Sequence, residues 1–202
     1  EGSGLLALDL FGPRPNFYDK GIGDAGAAVV GAALGAMDAP LPFEEINLMF
    51  NELTAAGMRH IADGMGAGRL PNLQAVRVAS NPGLGDDGAT ALAGALATCP
   101  SLGALTFNSC GVGRAGLEAV AAQVPRWPKL WMLDASGCRG TSDALGRALA
   151  AALPSLPYAV EFSLAYSGLS KAVATELRQA KAAAGSAVRL RLGDGEDSND
   201  DY

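Results

Sequence analysis

Short segments of alternating apolar residues return along the chain at nearly constant intervals. The segments are LLALDL at 5–10, FEEINL at 43–48, LQAVRV at 73–78, LGALTF at 102–107, LWMLDA at 130–135, AVEFSL at 159–164 and AVRLRL at 187–192. Between their last residues the spacings are 38, 30, 29, 28, 29 and 28. Such alternation is typical of a half-buried strand. The chain is therefore predicted to repeat one structural unit, with one strand in each copy.

A polar or small residue stands three positions after most of these segments. These residues are Asn51, Asn81, Cys110, Cys138 and Ser167. An aliphatic residue usually follows two positions later, as Leu53 follows Asn51. Backbone groups at the point where the chain leaves a strand still need hydrogen-bond partners. We therefore expect these side chains to form a ladder of hydrogen bonds from repeat to repeat.

A helix of 10–14 residues is predicted after each turn, because apolar residues recur there at i, i+3 and i+7. Met58, Ile61 and Met65 are one example. Residue types that cap helices stand at the predicted starts, which are Gly23, Thr54, Gly85, Gly113, Thr141 and Ser170. A glycine also recurs in the first turn, at 26, 57, 88 and 116. Since glycine costs a helix about 1 kcal/mol relative to alanine, its recurrence predicts close packing at that point.

This order of strand, turn, helix and return within 28–30 residues resembles the ribonuclease-inhibitor-like subfamily of leucine-rich repeats. The match is best in LPNLQAVRVASNPGLGDDGATALAGAL at 70–96. The resemblance implies an α/β solenoid of about 6–7 repeats, curved like a horseshoe, with a parallel β-sheet on the concave face and helices on the convex face. We expect residues 1–192 to form this single domain and residues 193–202 to form an acidic tail. Members of the family present a surface to a protein partner, so the resemblance implies an interaction scaffold.

The repeat pattern also predicts which residues line the concave face. The central column is Asp9, Asn47, Arg77, Thr106, Asp134, Ser163 and Arg191. The column at the strand ends is Gly12, Phe50, Ser80, Ser109, Gly137, Tyr166 and Asp194. At about 4.8 Å between strands, this face is roughly 30 Å long.

Aromatic residues, methionine and arginine are common anchors of protein interfaces. On this face the predicted partner-binding residues are Met49, Phe50, Arg77, Trp131, Met132, Asp134, Glu161 and Tyr166. Trp131 is the leading candidate among them. The alternative is that several of these side chains only cover neighbouring strands or lie under a flanking loop.

The first repeat is longer than the others by about eight residues, most of them in FGPRPNFYDKG at 11–21. This segment carries Arg14, Phe17, Tyr18 and Lys20. Loops inserted into a solenoid often belong to its binding face. The segment could equally be a cap that shields the core of the first repeat, and the sequence leaves both interpretations open.

Charge and composition argue against several classes of function. The net charge of −6 comes with no cluster of Lys and Arg of the kind that grips phosphates, so nucleic acid is excluded as a partner. No apolar run reaches the roughly 18 residues that a membrane span needs, and no signal peptide is visible. Three cysteines leave one unpaired, which favours a reducing compartment such as the cytoplasm. Cys110 and Cys138 are either two buried thiols or close enough for a disulfide.

No motif for catalysis, cofactor binding or metal binding is found. His60 is the only histidine, and it occupies an ordinary position on a helix flank. The cysteines form no CxxC pair, which argues against a zinc site. We therefore expect a protein that is not an enzyme and holds no cofactor or metal.

The leading function is a non-catalytic scaffold that binds another protein or peptide, alone or within a larger assembly. One alternative is a regulator of a small GTPase, similar to the Ran activator, which would use Arg77 or Arg14. The other is a purely structural subunit that assembles through its end strands.

Overall fold

Helices and strands alternate along the chain in the computed structural model, which describes residues 13–66 and 68–193. The helices are α1 Gly23–Ala36, α2 Ala55–Met65, α3 Gly85–Leu96, α4 Arg114–Ala121, α5 Asp143–Ala152 and α6 Lys171–Ala184. The strands are β1 Glu45–Asn47, β2 Ala75–Arg77, β3 Ala104–Thr106, β4 Met132–Asp134, β5 Glu161–Ser163 and β6 Arg189–Arg191. Short 3₁₀ turns at Val124–Arg126 and Leu153–Ser155 follow α4 and α5.

The six strands form one parallel sheet in sequence order, each paired with the next. Glu45 pairs with Ala75, and the same register carries the row through Ala104, Met132, Glu161 and Arg189. The central residue of each strand is apolar and points toward the helices, as Ile46 and Phe162 do. Parallel strands need a crossover connection, and here each crossover carries a helix on one side of the sheet. The predicted solenoid and the six strand positions from 43 onward are confirmed, whereas LLALDL at 5–10 lies outside the described residues.

The segment before α1 pairs with the sheet, which favours the cap among the two interpretations that the sequence left open. Asn16 forms a parallel bridge with Asn47. The N–H of Asn47 donates to the Pro15 carbonyl at 3.2 Å and the N–H of Phe17 donates to the Asn47 carbonyl at 2.8 Å, one on either side of the bridge. Further along, the N–H of Asp19 donates to the Met49 carbonyl at 3.0 Å. Residues 13–19 thus lie where a first strand would pair with β1. The separation of Asn16 from Asn47 is 31 residues, close to the spacing of the later repeats.

This segment also covers the core, as the cap interpretation requires. Phe17 is only 2% exposed and packs with the apolar residues beneath the sheet. Tyr18 and Lys20 face solvent. An uncovered strand edge invites pairing with other chains, and residues 13–19 cover that edge of β1.

The predicted ladder is present, and asparagine serves it best. Asn81 is fully buried, and its Oδ1 accepts the N–H groups of Asn51 and Leu53, both at 3.0 Å. Its Nδ2 donates to the carbonyls of Leu48 at 3.0 Å and Val78 at 2.7 Å. One side chain therefore satisfies backbone groups of two successive repeats.

The later ladder residues make fewer bonds. The Cys110 thiol donates to the Val78 carbonyl at 3.0 Å. The Cys138 thiol reaches the Phe107 carbonyl only at 3.9 Å. Ser167 bonds the Ser142 hydroxyl at 2.8 Å. All three cysteines are free and buried, so of the two interpretations of Cys110 and Cys138 the structure shows the pair of buried thiols.

Most helix starts lie within one residue of their predicted positions. Thr54, Gly113 and Ser170 are the N-caps of α2, α4 and α6, as expected. The predicted caps of α1 and α3, Gly23 and Gly85, are instead the first helical residues. Helix α5 begins two residues after Thr141, with Ser142 as its N-cap.

Aspartates in alternate helices cap the helix of the following repeat, a feature that the sequence reading missed. Asp24 in α1 accepts the N–H groups of Thr54 at 2.9 Å and Gly57 at 3.1 Å at the start of α2. The equivalent contacts join Asp86 to the N–H groups of Gly113 and Gly116, and Asp143 to that of Ser170. A carboxylate at a helix N-terminus satisfies free donors and complements the helix dipole.

These caps explain two of the recurrent glycines. A Cβ on Gly57 would overlap the Asp24 carboxylate, and one on Gly116 would lie 2.9 Å from Asp86 Oδ1. Helices α1 and α2 approach closely for a similar reason, because a Cβ on Gly64 would overlap the Gly31 carbonyl. The prediction of close packing at the first-turn glycines is confirmed at both capped positions.

Candidate functional site

The concave face of the sheet has three regions of interest. They are a strand-end row and a strand-start rim, which are its two edges, and a central column between them. The strand-end row comprises Phe50, Ser80, Ser109, Gly137 and Tyr166. All five have left-handed backbone, with φ between 56° and 67°. A side chain in this conformation is rare outside glycine and small polar residues, yet both ends of the row are aromatic.

The two aromatic residues of this row are exposed. Tyr166 is 84% exposed and Phe50 is 44% exposed. The Phe50 ring meets the Tyr18 ring edge-on, with centroids 5.4 Å apart and an interplanar angle of 61°. Edge-to-face packing of this kind fixes ring orientation. The row therefore presents an aromatic side chain at each end, with two serines and a glycine between them.

The arginines of the central column, Arg77 and Arg191, are already paired with glutamates. Arg77 Nε donates to Glu45 Oε1 at 2.8 Å, and both side chains are about one third exposed or less. Glu161 receives Arg191 at 2.9 Å and Arg189 at 3.6 Å. The sequence reading treated Arg77 and Glu161 as separate contacts, whereas each belongs to an ion pair that joins neighbouring repeats.

Asp134 is held within its own turn. Its Oδ1 accepts the N–H of Ser136 at 2.9 Å and the Ser136 hydroxyl at 2.6 Å. The carboxylate therefore stays half-exposed at the end of β4, with one oxygen engaged. A serine two residues after Asp134 is the one feature of the sequence that could have indicated this contact.

The strand-start rim holds Trp131, which lies apart from Phe50 and Tyr166. A Cβ on Gly103 would come within 2.5 Å of Trp131 Cδ1, so the indole lies directly over this glycine. The sheet register makes residue 131 a neighbour of residue 103 and of residue 160. Met132 and Met49 are half-buried beside the two groups of aromatics. The predicted aromatic residues thus lie at two opposite edges of the sheet, with the predicted charged residues between them, and the set does not form one cluster.

A shallow groove of about 420 Å³ runs along the strand-start rim. Its lining residues are Asn72, Gln74, Ser101, Gly103, Lys129 and Trp131. Beyond Trp131 stand Tyr158, 81% exposed, and Val160, 59% exposed. The groove was not predicted, because Trp131 was the one residue of its lining that the sequence analysis named.

Burial and helix capping move the pKa values of the three cysteines and of Asp24. Burial raises the pKa of Cys99 and Cys110 to about 11, and burial followed by the proximity of Cys110 raises the pKa of Cys138 to about 12. Thiols in this state are poor nucleophiles. Partial burial would raise the pKa of Asp24, but the hydrogen bonds from Thr54 and Gly57 together lower it below its usual value. These shifts come from the core and the helix caps.

The described residues offer neither a cluster of metal-ligating side chains nor a membrane-spanning helix. His60 is exposed on α2, as expected for a flank position. In the described ranges no group of three or more potential metal-ligating side chains is found. None of the helices in those ranges is both long and apolar enough to cross a membrane.

Part of the chain resembles a known protein family. Residues 69–93 match a family model described as Leucine Rich repeat. They span the end of the strand-start loop, β2 and most of α3, including the ladder residue Asn81. No curated protein matches the chain.

Proposed function

We propose that this leucine-rich repeat protein is a non-catalytic interaction scaffold that binds another protein through the concave face of its sheet. The proposal keeps the eight predicted residues as the contact surface and assigns the leading role to the strand-end row. It leaves open whether the protein acts alone or within a larger assembly.

The observation that carries the proposal is the pair of exposed aromatics at Phe50 and Tyr166. Both stand on left-handed backbone, which sets the direction in which each Cα–Cβ bond leaves the turn, and the Phe50 ring is also held against Tyr18. They lie four strand spacings apart, or about 19 Å. Rigid, exposed aromatics lose little conformational entropy on binding and are the commonest hot spots of interfaces. Ser80, Ser109 and Gly137 leave a trough between them.

Three features support a role other than catalysis. The resolved pKa shifts of Asp24 and Asp143 belong to helix caps, and those of the cysteines follow from burial. Perturbed groups at active sites usually share a cleft, and these do not. The chain's single histidine lies on an exposed helix flank.

The finer classification follows the same geometry. Repeats of 28–30 residues with helices of 8–14 residues on the outer side favour the ribonuclease-inhibitor-like subfamily. The alternative of a GTPase regulator needs a free arginine at the edge of the sheet. Arg77 is bound to Glu45 and Arg14 to Glu44, at 2.8 and 3.2 Å, which weighs against it. The net charge of −6 supports a protein partner rather than nucleic acid, and three free thiols support a reducing compartment.

The test uses substitutions that the strand-end row already tolerates. Serine occupies the same left-handed position at 80 and 109, so Phe50→Ser and Tyr166→Ser remove the rings without straining the turn. Proteins crosslinked to the wild type in cell extract would be identified by mass spectrometry, and the affinity of the recovered partner would then be measured. Loss of one hot spot of about 2 kcal/mol weakens binding about 30-fold.

The matched control is Val29→Ser, which removes an exposed apolar residue from α1 on the convex side. Equal affinity of the control and the wild type, with weak binding by both concave variants, supports the proposal. If Phe50→Ser and Tyr166→Ser retain wild-type affinity, the concave strand-end row is not the interface.

A further inference from the structure

We propose that the strand-start groove beside Trp131 binds a short extended peptide that carries an acidic residue next to an apolar one. The inference rests on the interaction role proposed above and names the chemistry of a second contact. It concerns the opposite edge of the sheet from Phe50 and Tyr166.

The groove crosses three neighbouring strand starts. The register aligns residues 72, 101 and 129 in one row and residues 74, 103 and 131 in a second row. Each row crosses two strand spacings, about 10 Å in all, which matches three residues of extended chain at about 3.3 Å each. A ligand lying across the strands would contact both rows.

The Trp131 indole lies over Gly103. Because Gly103 has no side chain, the indole lies against the backbone at that point. The ring forms a half-exposed wall of the groove, and its position is fixed by this contact. On its far side Val160 and Tyr158 extend the apolar surface. An aliphatic or aromatic side chain of a peptide would pack here.

The groove lining carries a positive charge. Lys129 is the one charged residue of the groove lining. Its ammonium lies 3.4 Å from the Ser101 hydroxyl, and within the described part of the chain it has no carboxylate partner. By contrast, Arg14, Arg77 and Arg147 are each paired with a glutamate. A peptide carboxylate could pair with the exposed Lys129 ammonium without displacing another carboxylate.

Two carboxamide side chains also line the groove. The side chains of Asn72 and Gln74 are exposed on the groove and make no hydrogen bond to other described residues. A carboxamide offers both donors and an acceptor, so it can bond both the N–H and the C=O of a peptide backbone. Lysine, carboxamides and an indole wall together match an acidic residue, a backbone and an apolar side chain.

The test uses two synthetic pools of fluorescein-labelled hexapeptides. In one pool Asp or Glu alternates with Leu, Phe or Tyr, and in the other Lys or Arg replaces the acidic residues. Binding to the full chain is followed by fluorescence anisotropy and by the indole N–H signals in NMR spectra. The chain has two tryptophans. Trp127 is fully buried with its Nε1 bonded to the Leu96 carbonyl at 2.9 Å, so its signal serves as an internal control.

We expect the acidic pool to bind and to shift the Trp131 signal while the Trp127 signal stays in place. Lys129→Glu should weaken binding about fivefold, and Lys171→Glu, at an exposed lysine on α6, should leave it unchanged. Gly103→Ala should also weaken binding, because it displaces the indole. Equal binding of the basic pool, equal binding of a neutral oligosaccharide, or an unshifted Trp131 signal would overturn the inference.

The two proposals fail separately. The variants Phe50→Ser and Tyr166→Ser should still bind the acidic pool if the groove is a peptide site. Loss of pool binding in those variants would show that the signal arises at the strand-end row, which overturns the groove assignment and leaves the concave interface intact.

Discussion

Replacing Asn81 by alanine tests the ladder, on which the stacking of the repeats depends. The side chain makes four short hydrogen bonds, two as acceptor from the N–H groups of Asn51 and Leu53 and two as donor to the carbonyls of Leu48 and Val78. A buried group left without its partner costs about 1 kcal/mol or more. Four such groups give an expected loss of about 4 kcal/mol in the free energy of unfolding, against a typical total of about 5–15 kcal/mol.

The informative comparison is Asn81→Cys. Cys110 occupies the same position one repeat later and still donates to the Val78 carbonyl at 3.0 Å. A thiol at 81 would keep the donor function in part and would accept weakly, so we expect a loss of about 2–3 kcal/mol. Cysteine should therefore rank between asparagine and alanine.

The assay is urea unfolding followed by circular dichroism, together with amide hydrogen exchange. Since each repeat contacts only its neighbours, protection should fall first at the amides of Asn51 and Leu53 and least in α6. A loss below 1 kcal/mol for Asn81→Ala, or an equal loss of protection at α6, would refute this account of the ladder.

Two further predictions concern the helices. Asp24→Ala and Asp143→Ala should each cost about 1 kcal/mol at neutral pH, whereas Asp63→Ala, at an exposed helix position, should cost little. Hydrogen bonds outweigh burial and lower the pKa of both capping carboxylates, so their contribution is complete above the unfolded pKa of about 3.9. This contribution is lost as the pH falls through the lower folded pKa. Urea titrations between pH 2 and 7 should therefore show the free energy of unfolding of the wild type falling at acid pH, and falling less in both cap variants. A cap variant with the same pH dependence as the wild type would contradict this assignment. Gly64→Ala should destabilise despite its gain of about 1 kcal/mol in helix propensity, because the Cβ would overlap a carbonyl of α1. Gly94→Ala meets nothing within 4 Å and should stabilise by about that amount, and a thermal melt that ranks the two glycine variants the other way would contradict this reading.

The strands and the ladder could be predicted from the sequence because each rests on a local pattern. Alternation around Ile46 or Val76 follows from the two-residue period of a strand, and the register follows from the equal repeat length. Asn51 and Asn81 stand at the same place in each repeat, so their role could be predicted from position. The pairing of Asn16 and Phe17 with β1 could not be predicted, because PNFYDK lacks the alternation of the later strands.

The candidate site was predicted less well because it depends on contacts between repeats. Phe50 and Tyr166 were found from their column, since exposure on a regular sheet follows from the pattern. The pairing of Arg77 with Glu45 depends on side-chain reach across strands, which spacing alone does not give. Trp131 was placed with the other aromatics because it was chosen by residue type and stands in neither of the two columns.

The two edges of the concave face differ in how their side chains are fixed. At the strand ends the backbone itself takes the left-handed conformation, so Phe50 and Tyr166 project at positions that any partner meets in the same geometry. At the strand starts the position of Trp131 depends on the small size of Gly103. A substitution at 103 would therefore change the groove and leave the strand-end row intact. A partner that uses both edges would have to cross the central column, where Arg77 and Arg191 are already paired with glutamates of the neighbouring row. Contact there would cost desolvation and add little affinity. We therefore expect the affinity for a partner to come from the two edges and the central column to contribute mainly to the spacing between them.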